Sequence, residues 1–593
     1  MALPQRGVSK ERNTMPAYEG DHLVYVDMTT QTISTEPFPE DWRMLGGRSL
    51  SARILREQCD PACDPLGPDN VLVMAPGVLA GTTAPTSGRI SIGGKSPLTG
   101  GIKEANSGGN PGQDLMKLGI RAIILKGQPA DRDRRFGLEI SPDGMSIVAA
   151  DEYKGLWNYA CCAKLLEGTP KSVSAISIGP AGEQMLSGAS VACTDQNKER
   201  RPARHAARGG LGAVMGSKGL KWVKVDTGKA KARRPADPKA FTAKIKSYSS
   251  DYLGGPQMFA KGTSAFVQTA NMLHTFVYKN RTEGQSPNVN ELDGARIVES
   301  FETRGGGMHN CMTGCIVQCS NIVHDKDGNY MTSALEFETI TLLGASCAIE
   351  SIDDVAELDR LCDELGLDTI ETGAAIAILM DSDNDAIEYG DAEGAKALLR
   401  QIAEGKELGQ VVGNGAVAAG QYTGHARVPE ARGQAIPAWD PRPLKATGVT
   451  YATSPMGADH TAGLIINPGL QPDQFARASQ ESQMVNAITD ASGFCQFLQP
   501  SMVDIAAYYS AFFGEEVTKE HMADQAWECL VDEWKFNEGA GWKIEDDRLS
   551  DCLINEGIGP DGVFKFDVTP DIIAAAKERM SPSEELYTNK ASG

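Results

Sequence analysis

Several features are missing from this chain of 593 residues, and each absence narrows its role. No stretch approaches the roughly eighteen consecutive apolar residues of a membrane span. Met1 to Glu19 is polar and lacks an apolar centre, so it does not read as a secretory signal; residues 1 to about 18 are expected to form a disordered leader. Positive charge is scarce: 57 Lys+Arg face 78 Asp+Glu, a net charge of −21. That balance argues against nucleic acid or an anionic membrane as partner. The 13 cysteines are odd in number and unevenly spaced, which excludes a secreted disulfide framework and points to the cytoplasm. The glycine loop Arg208 to Lys218 fits neither a dinucleotide fingerprint nor a Walker A sequence, so nucleotide chemistry is unsupported. No tandem repeat is readable.

What stands out is His309-Asn-Cys-Met-Thr-Gly-Cys-Ile-Val-Gln-Cys-Ser320, which follows the glycines 305 to 307. It sets Cys311, Cys315 and Cys319 four residues apart. On a helix these thiols would share one face, and in a loop they could converge on a point. Soft thiolates so spaced suit an iron–sulfur cluster or zinc, and either wants a fourth ligand. The remote Cys495 is the candidate. Zinc sites more often use two C-x2-C pairs, so a local triplet with one distant cysteine favours a [4Fe–4S] cluster. Simple packing of buried thiols is the plain alternative, and the regular spacing among Gly, His and Asn weighs against it. The other cysteines share no pattern and read as ordinary residues.

Asp490-Ala-Ser-Gly-Phe-Cys495 has a near twin in Asp363-Glu-Leu-Gly-Leu-Asp368. In each, the aspartate can accept hydrogen bonds from an amine-bearing heterocycle, and the glycine lets backbone approach a flat ligand. The competing account, a helix-capping glycine after an acidic residue, is common for one copy and less so for two. Ala105-Asn-Ser-Gly-Gly109 and the Arg208 loop could cradle phosphates with backbone N–H groups, with Arg204 and Arg208 beside them. Glu336, Glu338 and His460 are acid–base candidates, each of which could equally be a structural residue.

Strand-like alternation runs from His22 to Val225, and helical spacing dominates later, as in Ser351 to Asp363, Thr369 to Met380, Ala392 to Glu404 and Pro472 to Asp490. The expected class is α+β. A β-rich domain over 19–228 precedes two mostly helical domains, 229–420 and 421–593. The first helical domain carries the cysteine triplet, Glu338 and the first D-x-x-G motif. The second carries His460, the other D-x-x-G motif and Cys495.

Taken together, these stretches resemble the tungsten-containing aldehyde ferredoxin oxidoreductase family over about Leu23 to Asp567. Further support comes from Thr86-Ser-Gly-Arg-Ile90, Lys95-Ser-Pro-Leu-Thr-Gly100, Ile178-Gly-Pro-Ala-Gly-Glu183 and Ala438-Trp-Asp-Pro-Arg442. The resemblance implies a two-sheet base and a cofactor at the domain interface: one tungsten held by two pterins with no protein ligand. It implies that Asp363, Leu367 and Asp368 hold one pterin, and Asp490, Gly493 and Phe494 the other. Arg89 would lie between pterin and cluster. Asn106, Gly108, Gly109, Arg204, His205 (through its backbone) and Ala207 would serve the pterin phosphates and a bridging Mg2+. Cys311, Cys315, Cys319 and Cys495 would ligate the [4Fe–4S] cluster. Glu338 would be the acid–base residue, with Glu336 nearby and His460 on the substrate oxygen. Phe337 stands where tyrosine is common, and Phe494 where leucine is usual.

The implied activity is oxidation of an aldehyde to a carboxylic acid. Electrons would leave through ferredoxin or a small iron–sulfur subunit, with a flavin subunit as the link wherever NAD is the final acceptor, in an oligomer. Two rivals are a related tungstoenzyme running a reduction of an aromatic ring or an acid, and a non-catalytic iron–sulfur electron carrier.

Overall fold

The computed structural model describes residues 20–383 and 386–588; the expected leader lies outside them. Alternating apolar residues between His22 and Asp226 build two six-stranded sheets. The first contains β1 (His22–Asp27), β2 (Thr32–Pro37), β3 (Leu72–Pro76), β4 (Ile90–Lys95), β5 (Ile102–Ser107) and β6 (Ile120–Lys126), in the order β2-β1-β6-β3-β4-β5. The second contains β7 (Phe136–Ser141), β8 (Gly144–Ala149), β9 (Val173–Ser177), β10 (Val191–Cys193), β11 (Arg204–Ala206) and β12 (Leu220–Asp226), in the order β11-β10-β9-β12-β7-β8.

The two orders are the same topology written twice. In each half a hairpin comes first, and the first strand lies parallel to the last. The third strand is antiparallel to that last strand, and the fourth and fifth follow outward. Helices recur at matching places: α1 (Gly47–Gln58) and α3 (Asn158–Leu166) precede the third strands, while α2 (Pro111–Lys117) and α5 (Leu211–Ser217) precede the sixth. A four-residue α4 (Pro180–Glu183) follows β9. Left-handed glycines match as well: Gly109 and Gly209 at φ +89° and +82°, Gly119 and Gly219 at +78° and +70°. No repeat is readable in sequence because a sheet face needs only alternation and apolar bulk, which many sequences satisfy.

The inner faces of the sheets form one core, with Val24, Ile92 and Ile123 packing toward Leu138, Ile176 and Val223. The outer face of the first sheet packs with α1 against helices Pro472–Ser492, Met502–Phe513 and Lys519–Gly539. A second helical core surrounds Leu335 to Ile402. The helices of the β-rich part, α1 above all, escape a reading tuned to alternation. The helices read at Ala392–Glu404 and Thr369–Asp381 form as the spacing predicts. Ser351 caps Ile352–Leu365, its side chain accepting from the Asp354 N–H at 3.3 Å. No described helix is long and apolar enough to cross a membrane.

Candidate functional site

The two D-x-x-G stretches are helix ends. Ile352–Leu365 stops at Gly366 (φ +74°) and Pro472–Ser492 at Gly493 (φ +90°), both in the left-handed conformation that favours glycine. The capping account therefore holds locally, and the two caps have a second property. Each seats on the glycine after the third strand of one sheet. A Cβ on Gly77 would lie 2.1 Å from the Gly493 nitrogen, and one on Gly179 would lie 2.2 Å from the Leu365 carbonyl oxygen. Backbone bonds fasten the seats: Arg89 N–H donates to Gly493 O at 3.2 Å and Ser190 N–H to Gly366 O at 2.8 Å.

Between the seats, where β5 packs on β11, lies a cavity with about 1450 Å³ of atom-free space including its mouth. Fifteen sequence-predicted residues line it: Arg89, Asn106 and Gly108 from the first sheet, Arg204, His205 and Ala207 from the second, and Cys311, Cys319, Glu336, Glu338, Asp363, Leu367, Asp368, His460 and Cys495 from the remainder. Five predicted residues do not line it. Cys315 is buried without reaching the lining. Gly109 makes the turn against Thr194. Asp490 is buried and accepts from Gln496 Nε2 at 3.3 Å. Gly493 is packed on Gly77. Phe494 points its ring into the core, 5.1 Å from Tyr508, so only its backbone is turned toward the seat.

All four predicted thiols are buried. The triplet sits in a loop, not on a helix, and Thr86 pins it by accepting at Oγ1 from Ile316 N–H at 3.0 Å. Among the described residues no three of the four sulfurs lie within 4.8 Å of one another. Arg89 reaches across: its Nε donates to Asn106 Oδ1 and its Nη1 lies 3.7 Å from Cys495 Sγ. Gly108 leaves the room, since a Cβ there would come within 3.1 Å of Cys311 Sγ. The Cys315 thiol, then Arg204 and Arg89, hold the Cys311 thiol down to about 5, whereas burial pushes Cys319 and Cys495 up.

The polar wall is tightly tied. Asp363 faces His205 Nε2 at 3.1 Å and accepts from the Tyr159 hydroxyl at 3.1 Å. The His205 ring is thus engaged here, beyond the backbone role the resemblance implies. Asp368 caps the next helix through Ile370 N–H and accepts from Arg208 Nε at 3.2 Å. Arg204 Nη2 donates to Ser333 Oγ at 2.6 Å and leaves Nε unpartnered. Glu336 accepts from the Thr263 hydroxyl, and burial raises its carboxyl.

Glu338 is held differently. Its Oε2 accepts from Ala438 N–H at 2.6 Å, while its buried Oε1 has no hydrogen-bond partner. His460 Nδ1, also without a hydrogen-bond partner, lies 3.8 Å from that Oε1 and 3.7 Å from Asp459 Oδ1. Asp459 anchors the histidine's turn by accepting from Thr461 N–H at 3.0 Å. Burial opposes a charge on Asp459, but Lys103 and Arg208 more than offset this and hold its carboxyl well below the usual range. A carboxylate with one anchored and one open oxygen, next to an imidazole nitrogen that makes no hydrogen bond, can take a proton and steady an oxygen.

Of the aromatic wall beside this pair, sequence reading singled out Phe337 alone. Trp439 lies 4.7 Å from Phe337 and 6.1 Å from Phe266, and Phe497 stacks on Phe259 at 4.5 Å. Trp439 belongs to the Ala438-Trp-Asp-Pro-Arg442 stretch, so a signal existed. Lys103 carried none.

The aldehyde ferredoxin oxidoreductase N-terminal domain model matches residues 23–227, and the model for domains 2 and 3 matches 240–579. The chain is 29% identical to the tungsten-containing aldehyde ferredoxin oxidoreductase of Pyrococcus furiosus, covering 92% of each. It is 30% identical to that of Thermococcus kodakarensis, covering 80% of each. It is also 25% identical to the WOR-like subunit of a P. furiosus aliphatic sulfonate oxidoreductase, covering 86% and 84%. In fold it is similar to the active-site complex BamBC of benzoyl coenzyme A reductase, with TM-score 0.76, 19% identity and 91% of each chain covered. With both halves matched in order and the two seats meeting at one cavity, the chain belongs to the aldehyde ferredoxin oxidoreductase family and is an oxidoreductase of that tungsten- and pterin-binding kind.

Proposed function

We propose that this protein oxidises an aldehyde and water to a carboxylic acid, releasing two electrons and two protons. The observation that carries this reading is the Glu338–His460 pair, whose facing atoms make no hydrogen bond and lie 3.8 Å apart in the cavity. The donor set fits the implied cofactors. Four buried thiols, no three of them within 4.8 Å of one another, suit the corners of a [4Fe–4S] cube better than a single tetrahedral ion, whose sulfurs sit about 4 Å apart. Two matched seats with an acidic residue at each suit a pair of pterins.

In this reading Asp363, Leu367 and Asp368 hold one pterin, while Asp490 with the backbone of Gly493 and Phe494 holds the other. Asn106, Gly108, Gly109, Arg204, His205 and Ala207 serve the phosphates and their Mg2+. When bound, tungsten supplies a Lewis acid and two-electron acceptor, and the cluster passes electrons on singly.

The chain's own residues supply the rest. Glu338 Oε1 takes the proton as water or the hydrated aldehyde reacts, and Ala438 N–H keeps that carboxylate aimed. His460 Nδ1 donates to the substrate oxygen, where negative charge develops. Phe337, Trp439, Phe266 and Phe497 exclude bulk water and receive the apolar part of the substrate. Arg89 holds Asn106 and Cys495 in register. Ferredoxin, or an iron–sulfur and flavin partner, accepts the electrons.

Metal analysis of protein purified without air tests the reading. About one tungsten and four irons per chain are expected, with turnover of simple aldehydes. Iron without tungsten or molybdenum, and no aldehyde turnover, would move the assignment to an electron carrier; zinc alone would refute the cysteine assignment.

A further inference from the structure

After the basic segment 229–237 the chain enters α6 (Pro238–Gly254). Phe241, Ile245, Tyr248 and Tyr252 recur at helical spacing and turn inward. Phe241 meets Tyr508 and Phe512 at 5.6 and 6.3 Å between ring centroids, and the Tyr248 hydroxyl donates to Leu498 O at 2.9 Å. Tyr252 ends this face, half-buried against the core that contains Cys315, Cys319 and Cys495.

The opposite face is bare. Lys239, Lys246 and Leu253 are exposed and follow one another at intervals of seven residues, nearly two helical turns, so they form one line. The line is about 20 Å long at the usual helical rise. It ends in Leu253, 57% exposed, and Met258, 53% exposed. Residues 229–254 contain seven cations, Lys229, Lys231, Arg233, Arg234, Lys239, Lys244 and Lys246, against only Asp237 and Asp251. Arg233 is engaged with Asp21 and Lys244 with Asp504; the other five are exposed. The remainder of the chain is strongly acidic, for the whole carries −21. A positive stripe on such an acidic surface, ending in a bare apolar side chain next in sequence to Tyr252, makes no packing contact that the helix needs on this face.

We infer that this stripe is the docking surface for a small acidic protein carrying a one-electron centre. The inference rests on the reading that the four thiols hold an electron-carrying cluster. The acidic remainder of the surface repels such a partner, so Lys239, Lys246 and their neighbours both attract and orient it. Leu253 and Met258 then give a compact apolar contact of the size that transient redox complexes use. The contact brings the partner's centre toward Tyr252 and the thiols behind it.

The test uses the holoenzyme and an acidic ferredoxin as probe, with affinity measured by calorimetry across a salt series. Lys239→Glu with Lys246→Glu weakens binding about tenfold or more and flattens its salt dependence. Leu253→Ser with Met258→Ser weakens binding but leaves the salt slope in place. Both pairs keep their iron and their reduction of a viologen dye, which needs no docking. Unchanged ferredoxin affinity in both pairs overturns the proposal. So does sedimentation showing that the substitutions dissociate a dimer of this chain while ferredoxin affinity stays as it was, since the stripe is then a self-association surface. A wild-type protein that binds ferredoxin in this salt-dependent way yet holds no iron overturns the cluster assignment alone.

Discussion

Gly77 and Gly493 touch through backbone: the space a Cβ on Gly77 would need is filled by the Gly493 nitrogen, 2.1 Å away. Gly179 stands in the same relation to the Leu365 carbonyl, at 2.2 Å. Backbone cannot step aside as a side-chain tip can, so each seat tolerates glycine alone. Gly77→Ala and Gly179→Ala are each expected to cost about 2 kcal/mol or more of stability, and to loosen cofactor retention before they prevent folding. Thermal unfolding and metal content measure the two effects; variants with wild-type values for both would remove the seats from the account.

Glu338→Gln keeps the hydrogen bond from Ala438 N–H but removes the base. Activity is expected to fall by about a hundredfold or more, with tungsten and iron content unchanged. His460→Ala is expected to lower kcat more than it raises KM, because the imidazole acts on developing charge. Full aldehyde turnover by a metal-replete Glu338→Gln protein would end the assignment.

Iron separates two groups of cysteines. Cys311→Ser and Cys495→Ala are expected to lose most of the iron and its visible absorbance. Cys59→Ser is expected to keep both, although Cys59 and Cys63 bring their sulfurs within 3.9 Å, because that pair lies outside the cavity. Iron loss in Cys59→Ser would show that position at the cavity is the wrong criterion.

Asp459 and Lys103 form a buried ion pair beneath His460. Asp459→Asn strands the lysine charge and is expected to cost about 3–5 kcal/mol near pH 7. The sign follows from the depressed folded-state pKa: the carboxylate stabilises fully above its unfolded value near 3.8, and that contribution fades as pH falls toward the lower folded value. The gap between wild type and Asp459→Asn in urea unfolding should therefore be widest at neutral pH and narrow below pH 3.8. A gap that widens on acidification would contradict the pairing.

Legibility in the sequence follows the range of the signal. The cysteine triplet, the two D-x-x-G motifs and helices such as Ala392–Glu404 are local patterns, and they stand where their spacing puts them. Arg208 could be seen as a cation in a glycine loop, but its ties to Asp368, Ala435 and Ala458 join distant segments, and no local pattern encodes them. The same holds for Lys103 with Asp459. Gly77 and Gly179 look like ordinary loop glycines, because the reason for each is the backbone of another part of the chain. The duplicated sheet is invisible for the opposite reason: too many sequences satisfy it.

That duplication has a further consequence. Something placed midway between β5 and β11 meets nearly the same main chain from either side, so the base alone offers it no left and right. Handedness enters through what is laid upon the two halves: Cys495 follows one cap, and Asp368 with Arg208 follows the other. A protein built on a repeated pair of sockets thus gains direction from what is laid upon them, and the same substitution made in both sockets serves as its own paired control.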